Sequence, residues 1–352
     1  MKIKLAILES DKSYLNRIVT VFNTKYADKL EIYSFTEYIT AMNSLEPMKV
    51  DVLLVSEEFT VDSKNLPKRC GMGYFVDTQG MESFRDAPAI CKFQKADLIY
   101  KQILSIYSEK AAQFTGSGIN GGHSKIITFF SAFGGAGGST LAAACALSKA
   151  RKGKKTLYLN LETFGAAERY FVGEGQFGFS DVIYALKSQK TNLYLKLEST
   201  VKQDVSGVYY YSAANVALDM QELEEKDIRR LLTELRTNCE YDYIIIDSDF
   251  KLTTRELALW NETDEMIIVT GGEEEQVGKI ERLYRALQVL AQQNDMLRMD
   301  KVKLIYNKFS HHTGKVIEGI EQMVLGGVPR FENATVKQIM EQVSGMNIFD
   351  GI

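Results

Sequence analysis

Eight consecutive residues carry the strongest chemical signal in the chain: Phe133-Gly134-Gly135-Ala136-Gly137-Gly138-Ser139-Thr140. Glycine at four of the five positions from 134 to 138 lets the backbone turn its N–H groups inward around an anion. An apolar run, Lys125 to Phe130, precedes the loop, and an alanine-rich stretch from about Leu141 to Ala150 follows it. The pattern therefore reads strand, glycine loop, helix, with the positive end of the helix dipole behind the loop. Gly134, Gly135, Ala136, Gly137, Gly138, Ser139 and Thr140 are the candidate phosphate cradle, and the Ser139 and Thr140 hydroxyls stand where Mg²⁺ and a phosphate oxygen would be met. The full phosphate-loop pattern also asks for lysine directly before that Ser/Thr, and here the position is Gly138.

Carboxylates complete the candidate site. The segment Lys154 to Glu162 reads as a strand ending in Asn160 and Glu162, whose i, i+2 spacing would point both side chains to one face. Tyr241-Asp242-Tyr243-Ile244-Ile245-Ile246-Asp247 is an apolar strand closing on a carboxylate. In a parallel sheet, ligands bind at the carboxyl ends of strands, so Asp247 is expected to project toward the glycine loop and to share a Mg²⁺ ion with Ser139. Four cysteines (Cys70, Cys91, Cys145, Cys239) without a CxxC and three histidines (His123, His311, His312) offer no spacing for another metal centre.

Positioning these groups requires an α/β sheet, and the chain supplies the parts for two. Before residue 112, apolar runs at Ile3 to Leu8, Leu30 to Tyr33, Val50 to Val55, Tyr74 to Val76 and Ala89 to Cys91 alternate with helical patterns. That order predicts a small doubly wound parallel sheet over 1–112. Residues 113–124 are a linker, with five Gly or Ser in the eight residues from Gly116 to His123. From 125 to 352, further strands at Met266 to Thr270 and Val302 to Asn307, with a helix near Gln276 to Gln293 between them, predict a second doubly wound parallel sheet. The fold class is thus α/β, two such domains in tandem.

The composition is ordinary for a soluble globular protein, 45% hydrophobic and 25% charged, and the net charge of −4 argues against holding nucleic acid by bulk charge. No window approaches the run of about 18 apolar residues that a membrane span needs, and the segment Gln342 to Ile352 has no basic face, which argues against direct membrane binding. Reduced thiols and the missing signal region read as a cytoplasmic protein.

The second domain resembles the ParA/MinD family of deviant-Walker ATPases, and with the domain in front of it the chain is similar to the TadZ/CpaE pilus-assembly branch. Against the family's Lys-Gly-Gly-x-Gly-Lys-Ser/Thr-Thr loop, this chain keeps Gly134, Gly135, Gly137, Ser139 and Thr140 and has Phe133 and Gly138 in place of the two lysines. The family's Asp-x-Asp strand end is matched by Asn160 and Glu162, Walker B by Ile244-Ile245-Ile246-Asp247, the adenine-reading Asn by Asn307, and the turn over the base by Pro329-Arg330. The first domain looks like an atypical response-regulator receiver used for docking: Glu9, Asp11 and Lys92 match, but Ser56 stands where the phosphoacceptor aspartate belongs. The resemblance implies ATP and Mg²⁺ as ligands and Glu162 and Asn160 as the groups orienting a water. It also implies a nucleotide-dependent homodimer and a role in placing a Tad/Flp-type pilus or secretion machine, with recruitment to a cell pole or membrane machine. Hydrolysis, without the lysines, should be slow at most. The competing readings are a plasmid-partition ATPase acting on DNA and a receiver-controlled regulator with a dead nucleotide site.

Overall fold

The computed structural model describes residues 2–110, 124–131, 133–188, 192–293, 298–309, 317, 319 and 323–352 of the chain. All of the expected linker except Ser124 lies outside them, as do His123, His311 and His312. The described residues form two compact units. One holds 2–110 and, from much later in the chain, the helix Leu193–Thr200; the other holds 124–187 and the residues from Val201 onward.

In the first unit the strands are β1 (Ile3–Leu8), β2 (Leu30–Phe35), β3 (Val52–Ser56), β4 (Gly71–Val76), β5 (Ser83–Phe84) and β6 (Ala87–Cys91). They lie in the order β2-β1-β3-β4-β6-β5, parallel except where β5 pairs antiparallel with β6. Strand alternation divides the core. Leu5 and Ile7 face α1 (Lys12–Lys25) and α3 (Ala96–Lys110), while Ala6 and Leu8 face α2 (Tyr38–Leu45). β3 is buried along its whole length because both faces of the sheet are covered.

Two crossovers depart from the expected alternation. The β3–β4 connection contains only the short 3₁₀ turn Ser63–Asn65, and the β4–β6 connection contributes β5. Side chains from these loops, Phe59, Leu66, Met81 and Phe84, cover the sheet where helices would otherwise pack. On the opposite face α3 approaches β4 closely: a Cβ on Gly71 or Gly73 would meet the Ile106 side chain at 2.5 and 2.8 Å. The helix Leu193–Thr200 packs along α3, with Asn192 N donating to Ser108 O (3.1 Å) and Lys196 Nζ to Ser105 Oγ (3.0 Å).

In the second unit the strands are β7 (Lys125–Ser131), β8 (Thr156–Asn160), β9 (Lys202–Gln203), β10 (Tyr209–Tyr210), β11 (Tyr243–Asp247), β12 (Glu265–Thr270), β13 (Val302–Phe309) and β14 (Val324–Pro329). Their order is β14-β13-β12-β7-β11-β8-β10-β9, and only the β9–β10 pair is antiparallel. The register sets Asp247 beside both Phe129 and Asn160, so the carboxyl ends of β7, β8 and β11 come together. Under that edge runs α4 (Gly138–Arg151), in which Ala142, Ala143, Ala144 and Ala146 are fully buried. Their small side chains let the helix lie close to β7, β8 and β11 and to the later helix Val336–Ser344. Lys149 ends this packing: its Nζ donates to Phe349 O (2.9 Å) and sits over the Tyr243 ring. Both domains are therefore α/β units built on mainly parallel sheets, as the strand and helix spacing predicts.

Candidate functional site

The glycine loop runs from the end of β7 into α4, and two of its glycines are there for backbone reasons. Gly135 has φ +81° and Gly137 φ +95°, both in the left-handed region that a side chain disfavours. Gly137 is also the residue capping α4, and a Cβ there would lie 2.2 Å from Asn307 Nδ2. By contrast, a Cβ on Gly134 or Gly135 would meet nothing within 4 Å. These residues border a cleft of about 750 Å³ that the whole loop lines, together with Glu162, Arg169, Asp247, Lys251 and Lys308.

At the floor of this cleft lies an acid corner. Asp247 is 1% exposed. Its Oδ2 accepts from Tyr158 OH (2.8 Å) and Asn160 Nδ2 (3.0 Å), and Ser139 Oγ donates to Glu162 Oε1 at 3.2 Å. Burial pushes the Asp247 carboxyl well above the usual range and the Glu162 charge pushes it further, while the Tyr158 and Ser139 hydroxyls act the other way. Glu162 is raised for the same first reason. Two carboxylates that resist ionisation together, beside a hydroxyl and an anion-binding loop, are chemically suited to a cation. Mg²⁺ takes one or two protein ligands and fills its remaining positions with phosphate and water, and Ser139 with Asp247 would offer that number.

A family model described as an AAA domain matches residues 124–299, half of the chain, and a model described as TadZ-like, receiver domain, matches 1–108. The chain belongs to the ParA/MinD-type AAA family, with a TadZ-like receiver domain in front. A ParA family ATPase from Chlorobium tepidum TLS shares the fold at 18% identity, covering 65% of this chain and 97% of that one with a TM-score of 0.53. Two further matches are a plasmid partition protein from Borrelia burgdorferi (20% identity, 65% and 99% covered, TM-score 0.48) and the septum site-determining protein MinD complexed with Mg-ADP from Pyrococcus horikoshii OT3 (17%, 63% and 94%, 0.47). No curated protein matches the chain.

Within this ParA/MinD-type domain, the structure brings Gly134 to Thr140, Glu162 and Asp247 to one cleft. Asn160 and Glu162 both turn toward the acid corner, from different backbone settings. The strand ends at Asn160, whose Nδ2 turns to Asp247 and whose Oδ1 accepts from Glu162 N (3.1 Å), so Asn160 braces the corner while Glu162 lines the cleft. Asn307 braces the loop instead of facing the cleft: its Nδ2 donates to Ala136 O at 2.7 Å. Pro329 and Arg330 are exposed at the end of β14, where Pro329 pairs with Phe309, and neither lines the cleft. Thr140 Oγ1 lies 3.4 Å from Tyr170 OH. Phe133, in the place of the family's first lysine, lies under the Lys279 ammonium, 5.8 Å from the ring centroid.

Sequence reasoning missed Tyr158, Arg169, Lys251 and Lys308. Tyr158 sits two positions before Asn160, so the same period-two rule that singled out Asn160 and Glu162 could have found it. The other three come to the cleft on the short 3₁₀ turn Ala167–Arg169, on a loop and through a bulge, which leave no periodic signal.

The TadZ-like receiver domain has a corresponding corner. Glu9, 1% exposed, pairs with Lys92 Nζ at 3.0 Å, and the same ammonium reaches Asp77 (3.5 Å) and Ser56 Oγ (3.5 Å). Asp11 is turned away to cap α1, accepting from Ser13 N (2.8 Å) and Tyr14 N (3.1 Å). The fully buried Ser56 has no carboxylate to form an acyl phosphate. Incubation with acetyl phosphate should therefore leave the intact mass unchanged; a phosphorylated Asp51 or Glu57 would overturn this assignment of the acceptor position.

Proposed function

We propose that the protein binds ATP with Mg²⁺ and that its nucleotide state controls homodimerisation, and through it the placement or assembly of a Tad/Flp-type pilus or secretion machine. The observation that carries this reading is the meeting of three things in one cleft: an open glycine loop at a helix N-terminus, the Ser139 hydroxyl, and the buried Asp247 with Glu162. Ser139 and Asp247 would hold the cation, directly or through water, and Gly134 to Thr140 the phosphates. When bound, Mg²⁺ neutralises charge on the phosphate oxygens. Glu162 lines the cleft with a raised pKa, which suits a group that orients or accepts a proton from water. The loop itself brings no cation, so hydrolysis is slow relative to binding.

The pilus role rests on the TadZ-like receiver match, and the receiver corner supports docking over phosphotransfer because Ser56 replaces the acceptor. Residues 1–112, with the helix Leu193–Thr200 that packs on them, are then the docking module, and the rest of 125–352 the nucleotide module.

Calorimetric titration of the full chain with ATP, with and without Mg²⁺, tests the reading. We expect saturable, Mg²⁺-dependent binding, and Ser139→Ala should weaken it roughly 10-fold by removing one oxygen at the cation and a charge-assisted contact. Parent protein that gives no binding signal would leave a regulator with a dead nucleotide site.

A further inference from the structure

The loop has lost both lysines, yet one lysine stands over it. Lys308 lines the cleft, and its Nζ donates to the carbonyl oxygen of Gly135 at 2.9 Å. Its route there is unusual. Lys308 belongs to β13 but has φ +56°, a left-handed conformation that a non-glycine residue in a strand disfavours. The ladder to β14 breaks at the same place: Asn307 pairs with Val328 and Phe309 with the next residue, Pro329, so Lys308 is the extra residue of a bulge. A bulge of this kind re-aims one side chain out of the alternation of its strand, and local backbone strain concentrates at functional sites. Here the side chain is aimed at the glycine loop.

Lys308 also differs from the other cations bordering the cleft. Lys251 is committed to Thr163 Oγ1 (3.2 Å) and to the Asp249 carboxylate (3.4 Å), and the Arg169 charge acts on Glu162. Among the described residues Lys308 has a neutral carbonyl as its partner and no carboxylate. A polyphosphate is a much stronger acceptor than a single carbonyl oxygen, so an exposed ammonium at this position gains by exchanging one for the other. Its main-chain neighbour Asn307 donates to Ala136 O, so two consecutive residues of β13 hold the loop.

We propose that Lys308 supplies, from strand β13, the phosphate-binding positive charge that the loop lost at Phe133 and Gly138. This rests on the reading that the cleft takes ATP. The charge arrives from the side of the loop, as an ammonium on a flexible stem, and acts on the bound polyphosphate as a point charge.

The test compares full-length parent, Lys308→Met, Lys308→Arg, Lys308→Gly and Lys152→Met, a lysine outside the cleft that pairs with Asp350, by calorimetric titration with Mg-ATP, and by thermal melting without nucleotide. Lys308→Met should lower ATP affinity by about 10-fold or more, Lys308→Arg should keep most of it, and Lys152→Met should change it by less than about 3-fold. Lys308→Gly should lose affinity like the Met variant while melting no lower than the parent, because glycine is at ease at φ +56°. An ATP affinity for Lys308→Met within about 2-fold of the parent overturns the proposal. So does a Gly variant that melts well below the parent, since Lys308 would then be a brace for Gly135. A parent that fails to bind Mg-ATP overturns the nucleotide reading itself, and that result is visible before any variant is made.

Discussion

Asp247→Asn should make the nucleotide-free protein more stable and deprive it of Mg²⁺-dependent ATP binding. The carboxylate is buried at the end of β11, with Glu162 close by and two donors, Tyr158 OH and Asn160 Nδ2, on one oxygen. The Asn carbonyl oxygen can accept both of these hydrogen bonds, so the replacement keeps the brace and removes the charge. Because the folded protein holds the Asp247 pKa above its unfolded value, the acid form contributes stability that is fully present below the unfolded value, near pH ~3.9, and is lost as pH rises through the folded pKa. As the pH rises above the unfolded value the parent loses that contribution, whereas the Asn variant has no charge to bury. Scanning calorimetry should therefore show the variant melting roughly 2–5 °C above the parent at neutral pH, with the gap closing as the pH falls into the carboxylate range. Titration should show ATP affinity at least about 10-fold weaker in Mg²⁺, and little difference between parent and variant in EDTA. A variant that melts lower at neutral pH would mean that Asp247 is held by a partner stronger than the two hydrogen bonds seen. Unchanged Mg²⁺-dependent affinity would remove the cation site.

That trade between stability and binding explains which parts of the site could be read from the chain. The glycine loop, the start of α4 and the apolar run ending at Asp247 are local patterns: strand, turn and helix each leave their own period in neighbouring residues. Asp247 faces the loop because the sheet is parallel, and that too follows from the alternation of elements. Functions that depend on register between distant strands are not written locally. β8 ends at Asn160, so the place of Glu162 beside Ser139 is set by the turn that follows and not by strand alternation. Lys308 follows Asn307 in a run that reads as plain strand, and only its pairing with β14 reveals the bulge that turns it. In the first unit, the helix Leu193–Thr200 is separated from α3 by more than 80 residues, and its place there is set by contacts such as Lys196 with Ser105. The stretch from Glu57 to Cys70 lacks a helical repeat and holds Pro67, so the absence of a helix between β3 and β4 was within reach of the sequence.

Gly138→Lys should convert a binder into a faster ATPase. The first helical residue of α4 is not at positive φ, so the backbone accepts a side chain there. The obstacle is specific: a Cβ would lie 2.6 Å from Ser131 Oγ, while the next nearest atom, Phe130 C, is 3.7 Å away. A serine hydroxyl can rotate aside, and Ser131→Ala in the same chain removes the contact outright. A lysine at this position meets the β- and γ-phosphate oxygens, where charge accumulates as the phosphoryl group departs, so it should stabilise the transition state more than the bound ATP. Steady-state phosphate release should rise roughly 10-fold or more in Gly138→Lys, or in the double variant with Ser131→Ala, while ATP binds somewhat more tightly. A parent that already turns over as fast as the variant would show that another cation does the work of the missing lysine. The structure names that cation, because Lys308 is the lysine held against the loop; Lys308→Met in the parent background should then abolish the turnover, and adding Gly138→Lys to it should restore it.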